Sequence, residues 1–189
     1  MEADFSVELG PEDESLEFPW SDPVGKLRYY DLKRNAEYIS RLEEAQKFAP
    51  LGKFLARVNL PESPLETAKC DAWLTREMNV EDEDFNAAYK HGCYVDLLFS
   101  DARRFSFAAH EQLARDVSSL LKHAPEIPAR AELLVRHCDY RQAMTSRQGF
   151  YITLYVFGYG SKVKAQQECG IGLELAANAL AQVWASSQS

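Results

Sequence analysis

The feature that most constrains the fold is the apolar run GFYITLYVFGYG at residues 149–160. Alternate residues of a β-strand point to opposite faces, so the run predicts a strand with two unlike faces. One face would carry the apolar side chains Phe150, Ile152, Leu154 and Val156. The other would carry an aromatic and polar set, namely Tyr151, Thr153, Tyr155, Phe157 and Tyr159. The apolar face fits a helix-covered core, and the tyrosine face needs a separate explanation.

The acidic charge of the chain is concentrated at one end. The net charge is −8 over 189 residues, and residues 1–18 hold seven acids and no base. We therefore expect residues 1–20 to be an acidic, flexible tail and residues 21–189 to be a single domain. Acids alternate with Phe5, Val7 and Leu9 in this segment. A second interpretation is therefore a segment that docks onto a partner.

Three segments have helical patterns. Residues 21–48 predict a first helix, which Ser21 or Asp22 would cap and which would end before Pro50. Residues 51–66 are ambiguous between another helical turn and a short strand. Residues 106–123, capped by Ser106, and residues 161–186 predict two further helices.

Strand patterns occur at residues 66–78, 93–101, 130–141 and 149–160. Residues 79–92 would be a solvated acidic connection, and residues 142–149 a turn. The predicted fold is α+β, in the order α-ββα-ββα. It has an antiparallel sheet of about four or five strands with two helices on one face. The first helix would either cover the other face, through Tyr29, Tyr30 or Tyr38, or leave part of it open.

The face opposite the two helices is the predicted site. Tyrosine and tryptophan combine an apolar ring with a hydrogen-bonding group, and they are common at binding interfaces. The predicted partner-binding or ligand-binding residues are Asp71, Trp73, Asp96, Arg136, Tyr151 and Tyr155.

No motif for catalysis, metal binding or phosphate binding is complete. His110 begins a predicted helix beside Glu111, but no catalytic signature surrounds it. The histidine and cysteine pairs match no zinc spacing, and the glycine-containing segment 157–164 matches no phosphate-binding loop. We therefore predict no catalytic residue, no metal and no cofactor.

Charge and hydropathy also limit the classes of partner. Outside residues 1–18 the chain has 22 acids and 21 bases, which does not favour nucleic-acid binding. No apolar run reaches the ~20 residues that span a bilayer. The four cysteines have no disulfide spacing and no secretory leader is seen, so reduced thiols and a cytoplasmic location are expected.

The predicted element order over residues 22–186 resembles that of secretion-type chaperones and some toxin-immunity proteins. The resemblance implies a scaffold that holds another protein. The leading hypothesis is a non-enzymatic protein-interaction module, whose partner is a basic protein or a second copy of the chain. The alternative is an enzyme or small-ligand-binding protein with a pocket between the sheet and the first helix, using Asp71, Asp96, Arg136 or His110. A deep cavity would favour the ligand, and a broad exposed patch would favour the partner.

Overall fold

The computed structural model describes residues 1–25, 27–142 and 145–186. Its strands are β1 (Glu2–Glu8), β2 (Leu16–Phe18), β3 (Leu65–Thr75), β4 (Tyr89–Phe99), β5 (Ala129–Gln142) and β6 (Thr145–Gly160). Its α-helices are α1 (Glu43–Lys47), α2 (Ala49–Val58), α3 (Phe107–Lys122) and α4 (Lys162–Ser186). Short 3₁₀ helices lie at Ala36–Arg41, Val80–Phe85 and Ala102–Phe105.

The strands form one mixed sheet in the order β1-β5-β6-β4-β3. Strands β3 to β6 pair with one another in antiparallel fashion, whereas β1 and β2 both pair in parallel with β5. The α+β class and the antiparallel centre are confirmed. The prediction of four or five strands was wrong in detail, because it omitted the two parallel strands at the β5 edge.

Helices α3 and α4 lie on the apolar face of the sheet. Ile152, Leu154 and Val156 of β6 are buried in one core cluster with residues of both helices. Tyr151 belongs to a different cluster, on the opposite side of the sheet. The two-residue alternation in β6 therefore separates two faces as predicted, because the helices need a continuous aliphatic surface to bury.

The segment expected to be an acidic tail contributes β1 and β2 to the sheet. Ala3 is buried in the main core, and Leu16 and Phe18 are buried in the second cluster. The alternation of apolar and polar residues is that of a half-buried edge strand. The expectation that this segment lies outside the sheet was wrong because its acidic composition was given more weight than this alternation.

The long helix predicted at residues 21–48 does not form. Within that range, the described residues contain only the 3₁₀ helix at 36–41 and the five-residue α1. Pro50 lies in the first turn of α2 and does not end a helix. Proline is tolerated there because the first N–H groups of a helix have no intrahelical partner. The predicted order α-ββα-ββα is therefore corrected at its start.

Two connections also differ from the prediction. The acidic segment 79–92 is not fully solvated, because Asp82 is only 1% exposed and β4 already begins at Tyr89. The predicted turn at 142–149 is mostly strand: Thr145 to Gln148 pair with β5, and residues 143 and 144 lie outside the described ranges. No helix within the described ranges is long and apolar enough to cross a membrane.

Candidate functional site

The face of the sheet opposite α3 and α4 changes character along its strands. One end is covered by the segment containing β2, the middle holds a polar pocket, and the other end carries a group of partly exposed aromatic rings. Because β4 and β6 are antiparallel, Leu98 and Tyr151 lie toward the covered end, and Gly92 and Phe157 lie toward the other. The three parts are therefore neighbours on one surface.

The covered end is a small hydrophobic cluster, made of Leu16, Phe18, Leu98, Cys138, Tyr140 and Tyr151. Tyr29 packs edge-on against Phe18, with 5.4 Å between ring centroids, and the Trp20 indole donates to the Ala68 carbonyl at 3.0 Å. The described residues between Leu16 and Tyr29 thus close this end, and they form no helix. The sequence predicted that Tyr151 is displayed at the surface. In the structure it is buried, with only 3% of its surface exposed.

The open end carries what we call the aromatic quartet: Trp73, Tyr94, Tyr155 and Phe157. Its ring centroids are 6.5 Å apart for Trp73–Tyr94, 5.8 Å for Tyr94–Tyr155, 6.0 Å for Tyr155–Phe157 and 6.3 Å for Phe157–Trp73. These distances are within the range of favourable aromatic pairs. Each of the four residues is partly exposed, so the quartet forms an aromatic surface at the sheet face.

Gly92 of β4 makes the quartet possible. A Cβ at this position would lie 2.7 Å from the indole of Trp73 and 3.1 Å from the ring of Phe157. Trp73 and Phe157 come from the two strands that flank β4, and both rings extend over Gly92. A larger residue at position 92 would push these two rings apart.

The polar pocket lies between the covered end and the aromatic quartet and has a volume of about 380 Å³. Its walls come from strands β3, β4, β5 and β6, from the first residue of β2 and from the loop before β2. The lining residues are Glu14, Ser15, Leu16, Lys69, Tyr94, Asp96, Arg136, Tyr151, Thr153 and Tyr155. Tyr94 and Tyr155 belong to both the polar pocket and the aromatic quartet, so the two are continuous.

A chain of hydrogen bonds crosses the floor of the polar pocket. Thr153 Oγ1 donates to Asp96 Oδ1 at 2.9 Å and accepts from Arg136 Nη1 at 3.4 Å. All three residues are at least nine-tenths buried. Among the described residues, the Thr153 hydroxyl is the one group that donates a hydrogen bond to the Asp96 carboxylate.

The Arg136 guanidinium hydrogen-bonds to two carboxylates of the N-terminal segment. Its Nε donates to Glu8 Oε2 at 2.7 Å, and its Nη1 donates to Glu14 Oε2 at 3.0 Å. Its Nη2 also lies 2.7 Å from Glu8 Oε2. All three guanidinium nitrogens are therefore occupied, and two acids compensate the charge of Arg136.

The negative charge of Asp96 has fewer compensating partners than the positive charge of Arg136. Burial raises the pKa of its carboxyl to about 7, although the Thr153 hydrogen bond and the positive charges of Lys69 and Arg136 oppose this shift. No basic side chain of the described chain forms an ion pair with Asp96. A buried carboxyl that loses its proton near neutral pH in a cleft is a common feature of functional sites.

The six residues predicted from the sequence do not all meet. Asp96, Arg136, Tyr151 and Tyr155 line the polar pocket, and Trp73 belongs to the aromatic quartet. Asp71 is exposed on β3 and does not line the polar pocket. His110 is buried at the α3 side of the sheet, where its Nδ1 contacts the Ser106 carbonyl at 2.8 Å and its ring packs on Phe99. His110 therefore belongs neither to the polar pocket nor to the aromatic quartet.

Three important residues were absent from the predicted set. Tyr94 and Phe157 follow the alternation of β4 and β6, so their place on this face was readable from the sequence. Glu14 lies in a loop whose path depends on β1 and β2 pairing with β5, and no local pattern indicates its contact with Arg136.

A second buried acid lies near the aromatic quartet and was also missed. Asp82 accepts from Tyr159 Oη at 2.7 Å and from Lys90 Nζ at 2.5 Å, and Phe85 stacks on Tyr159 with 3.9 Å between centroids. Burial acts to raise the pKa of Asp82, but the hydrogen bonds from Lys90, Tyr159 and Asn79 outweigh it and lower the pKa. These contacts hold the 3₁₀ helix 80–85 against the sheet.

The described residues form no cluster of three or more histidine, cysteine or acidic side chains able to hold a metal ion. Cys93 and Cys169 lie in the main core with their sulfur atoms 3.7 Å apart, whereas Cys138 lies in the second cluster on the other face. At the start of α4, Ser161 Oγ accepts from the backbone N–H of Lys164 at 3.4 Å. This contact caps the first turn of α4.

Comparisons of the chain with models of known protein families, with curated proteins and with solved structures gave no match. The chemistry of this sheet face is therefore the basis for assigning a function.

Proposed function

We propose that this protein is a protein-interaction module that recognises a basic partner through the aromatic quartet. The observation that carries the proposal is the contact of four partly exposed rings, from three adjacent strands, on one open surface. Aromatic side chains are enriched among the residues that contribute most to protein–protein binding. The proposal concerns binding, and no catalytic step is assigned.

The charges around the aromatic quartet support a basic partner. Two cations beside Phe157 of the quartet are already paired: Arg130 with Glu81 and Glu132, and Lys90 with Asp82. The exposed Lys69 lies farther along the face, at the polar pocket. Asp71 and Glu77, both exposed near Trp73, form no ion pair with the described residues. A surplus of acids at the rim would accelerate encounter with a positively charged surface and disfavour acidic partners.

A second candidate function is the binding of a small ligand in the polar pocket. The observation that favours it is the convergence of buried Asp96, Arg136 and Thr153 on one cavity. Its volume of about 380 Å³ lies near the lower end of small-molecule sites. The covering element is the loop before β2, and not the helix that the sequence predicted.

Selection of peptides from a random display library on the immobilised full chain tests the leading proposal. We expect enrichment of peptides that combine Lys or Arg with apolar residues. Their binding should be lost with Trp73→Ala, which removes the largest ring of the quartet. Val163→Ala is the matched control, because Val163 is 65% exposed on α4, away from this face. Thermal unfolding of each variant separates loss of binding from loss of folding.

Two results would contradict the proposal. One is a set of selected peptides that bind Trp73→Ala as tightly as the original chain. The other is a concentration-dependent dimer, measured by sedimentation, that Trp73→Ala dissociates. That second result would identify a second copy of the chain as the occupant of the aromatic quartet.

A further inference from the structure

The polar pocket contains one buried charge-bearing group that the described residues leave without a counter-ion. Arg136 has Glu8 and Glu14, and both carboxylates lie within 3.0 Å of its guanidinium nitrogens. Asp96 is 5% exposed, and its carboxylate accepts from the Thr153 hydroxyl alone among the described residues. Burial of an ionised carboxylate raises the free energy of the folded protein unless a positive group lies close to it.

The walls of the polar pocket are also suited to a cation. The side chains of Tyr94, Tyr151 and Tyr155 line the cavity beside Asp96. The faces of aromatic rings attract ammonium groups, and this attraction is strongest where water is excluded. An anion is a poorer occupant, because Arg136 would have to give up a carboxylate that it already binds.

Within the described part of the chain, Lys69 is the one basic side chain lining the polar pocket that is not already paired with an acid. Its Nζ lies 5.7 Å from the centre of the Trp20 ring and forms no ion pair with Asp96 in this structure. Lys69 is exposed, so it is mainly solvated. A ligand cation would therefore not need to displace an existing partner of Asp96.

We infer that the polar pocket binds an alkylammonium group, with Asp96 as its counter-ion and the three tyrosine rings as its walls. This inference rests on the proposed function for one of its two sources, the lysine side chain of a bound partner. The other source is a free small amine. Both present the same chemistry to Asp96.

The inference predicts binding that depends on pH. Burial raises the pKa of Asp96 to about 7, so the carboxylate becomes available between pH 6 and 8. Burial also raises the pKa of Cys70, Cys138 and Tyr151 to about 12, so these neighbours stay protonated in that window. The remaining charged neighbours, which face Asp96 from β3, β5 and the loop before β2, are Lys69, Arg136 and Glu14.

The test is an NMR titration of the full chain with butylammonium chloride at constant ionic strength, with butan-1-ol as the uncharged probe. We expect saturable shifts of residues lining the polar pocket, with affinity about tenfold higher at pH 8 than at pH 6. Asp96→Asn keeps the size of the side chain and should abolish binding. Glu126→Gln, at an exposed acid between α3 and β5 that does not line the polar pocket, should leave it unchanged.

A second variant keeps the test decisive if Asp96→Asn does not fold. Lys69→Met removes from an exposed position a positive charge that repels a ligand cation, and it should tighten butylammonium binding at pH 9, where Asp96 is ionised. The inference is wrong if butan-1-ol produces the same shifts, if affinity is equal at pH 6 and pH 8, or if Lys69→Met has no effect.

Two further arms separate the sources and the proposals. A capped Ala-Ala-Lys-Ala-Ala peptide that binds at least as tightly as butylammonium assigns the polar pocket to a partner lysine, whereas binding of butylammonium alone assigns it to a free amine. Trp73→Ala should retain butylammonium binding. Failure of the peptide selection would therefore contradict the partner-binding role of the aromatic quartet and not the ammonium site. Failure of the amine titration would contradict the ammonium site and not the role of the aromatic quartet.

Discussion

Arg136 Nε and Glu8 Oε2 are 2.7 Å apart, and this bond joins the edge strand β1 to the centre of the polar face. The Arg136 side chain is 9% exposed and that of Glu8 is 34% exposed. A partly buried, charge-assisted hydrogen bond contributes more to stability than an ion pair in open solvent. The acids of the N-terminal segment therefore help to hold its strands in the sheet.

Glu8→Gln should lower the free energy of unfolding by about 1–2 kcal/mol, because it weakens a partly buried bond to a buried guanidinium. Glu17→Gln is the control. Glu17 pairs with Arg141 on the same strand edge, but their side chains are 50% and 54% exposed. That change should cost less than about 1 kcal/mol. Urea unfolding measures both, and equal losses would show that the burial of Arg136 adds nothing.

The elements that the sequence predicted well have local signals. Helices α3 and α4 and strand β6 are each defined by periodicity within one segment. Both helices lie within one residue of their predicted bounds, and β6 ends at Gly160 as predicted but begins four residues earlier, at Thr145. Strand β1 differs because its partner is far away in the chain: Glu2 pairs with Arg130. Its stabilising contacts are therefore not visible within its own segment.

The candidate site was also predictable only where local sequence patterns define it. Alternation alone placed Asp96, Arg136 and Tyr155 on one face, and the strand order then brought them together. Alternation failed in β3, where an extra residue between Thr67 and Cys70 shifts the register with β4. Thr67 consequently faces Asn59 of the α2 end and not the surface of Trp73. A bulge of this kind depends on the neighbouring strand, so the sequence of β3 gave no sign of it.

Asp96 should make the protein less stable as pH rises from about 4 to about 7. A free aspartate has a pKa near 3.9, and burial raises the pKa of Asp96 to about 7, so the folded chain binds its proton more tightly. Stability should therefore fall between about pH 4 and pH 7, by up to about 4 kcal/mol, and then level off. Asp96→Asn should remove this fall, and urea unfolding at pH 5 and pH 8 measures it. A fall of equal size in the variant would assign the pH dependence to another group.

Tyr159 should be important for stability through its hydroxyl. Tyr159 is 0% exposed, and its Oη donates to the buried Asp82 at 2.7 Å. Tyr159→Phe removes a donor from a buried carboxylate, and we expect a loss of about 1–3 kcal/mol in the free energy of unfolding. Tyr89→Phe is the control, because the Tyr89 hydroxyl contacts Arg76 at an exposed position and its loss should be nearly neutral. Equal effects of the two changes in chemical denaturation would contradict the role given to Asp82.

Gly158 should tolerate no side chain, because β6 and α4 are in backbone contact there. A Cβ at position 158 would lie 2.2 Å from the backbone nitrogen of Cys169 and 2.3 Å from the carbonyl oxygen of Ala165. Gly158→Ala must separate the helix from the sheet, and we expect a loss of about 3 kcal/mol or more. Gly52→Ala in α2 is the matched control: its Cβ would have no contact shorter than 3.4 Å, and alanine favours a helix interior by up to about 1 kcal/mol. Urea unfolding should therefore shift in opposite directions for the two variants, and a shift of the same sign would mean that α4 does not pack this closely on β6.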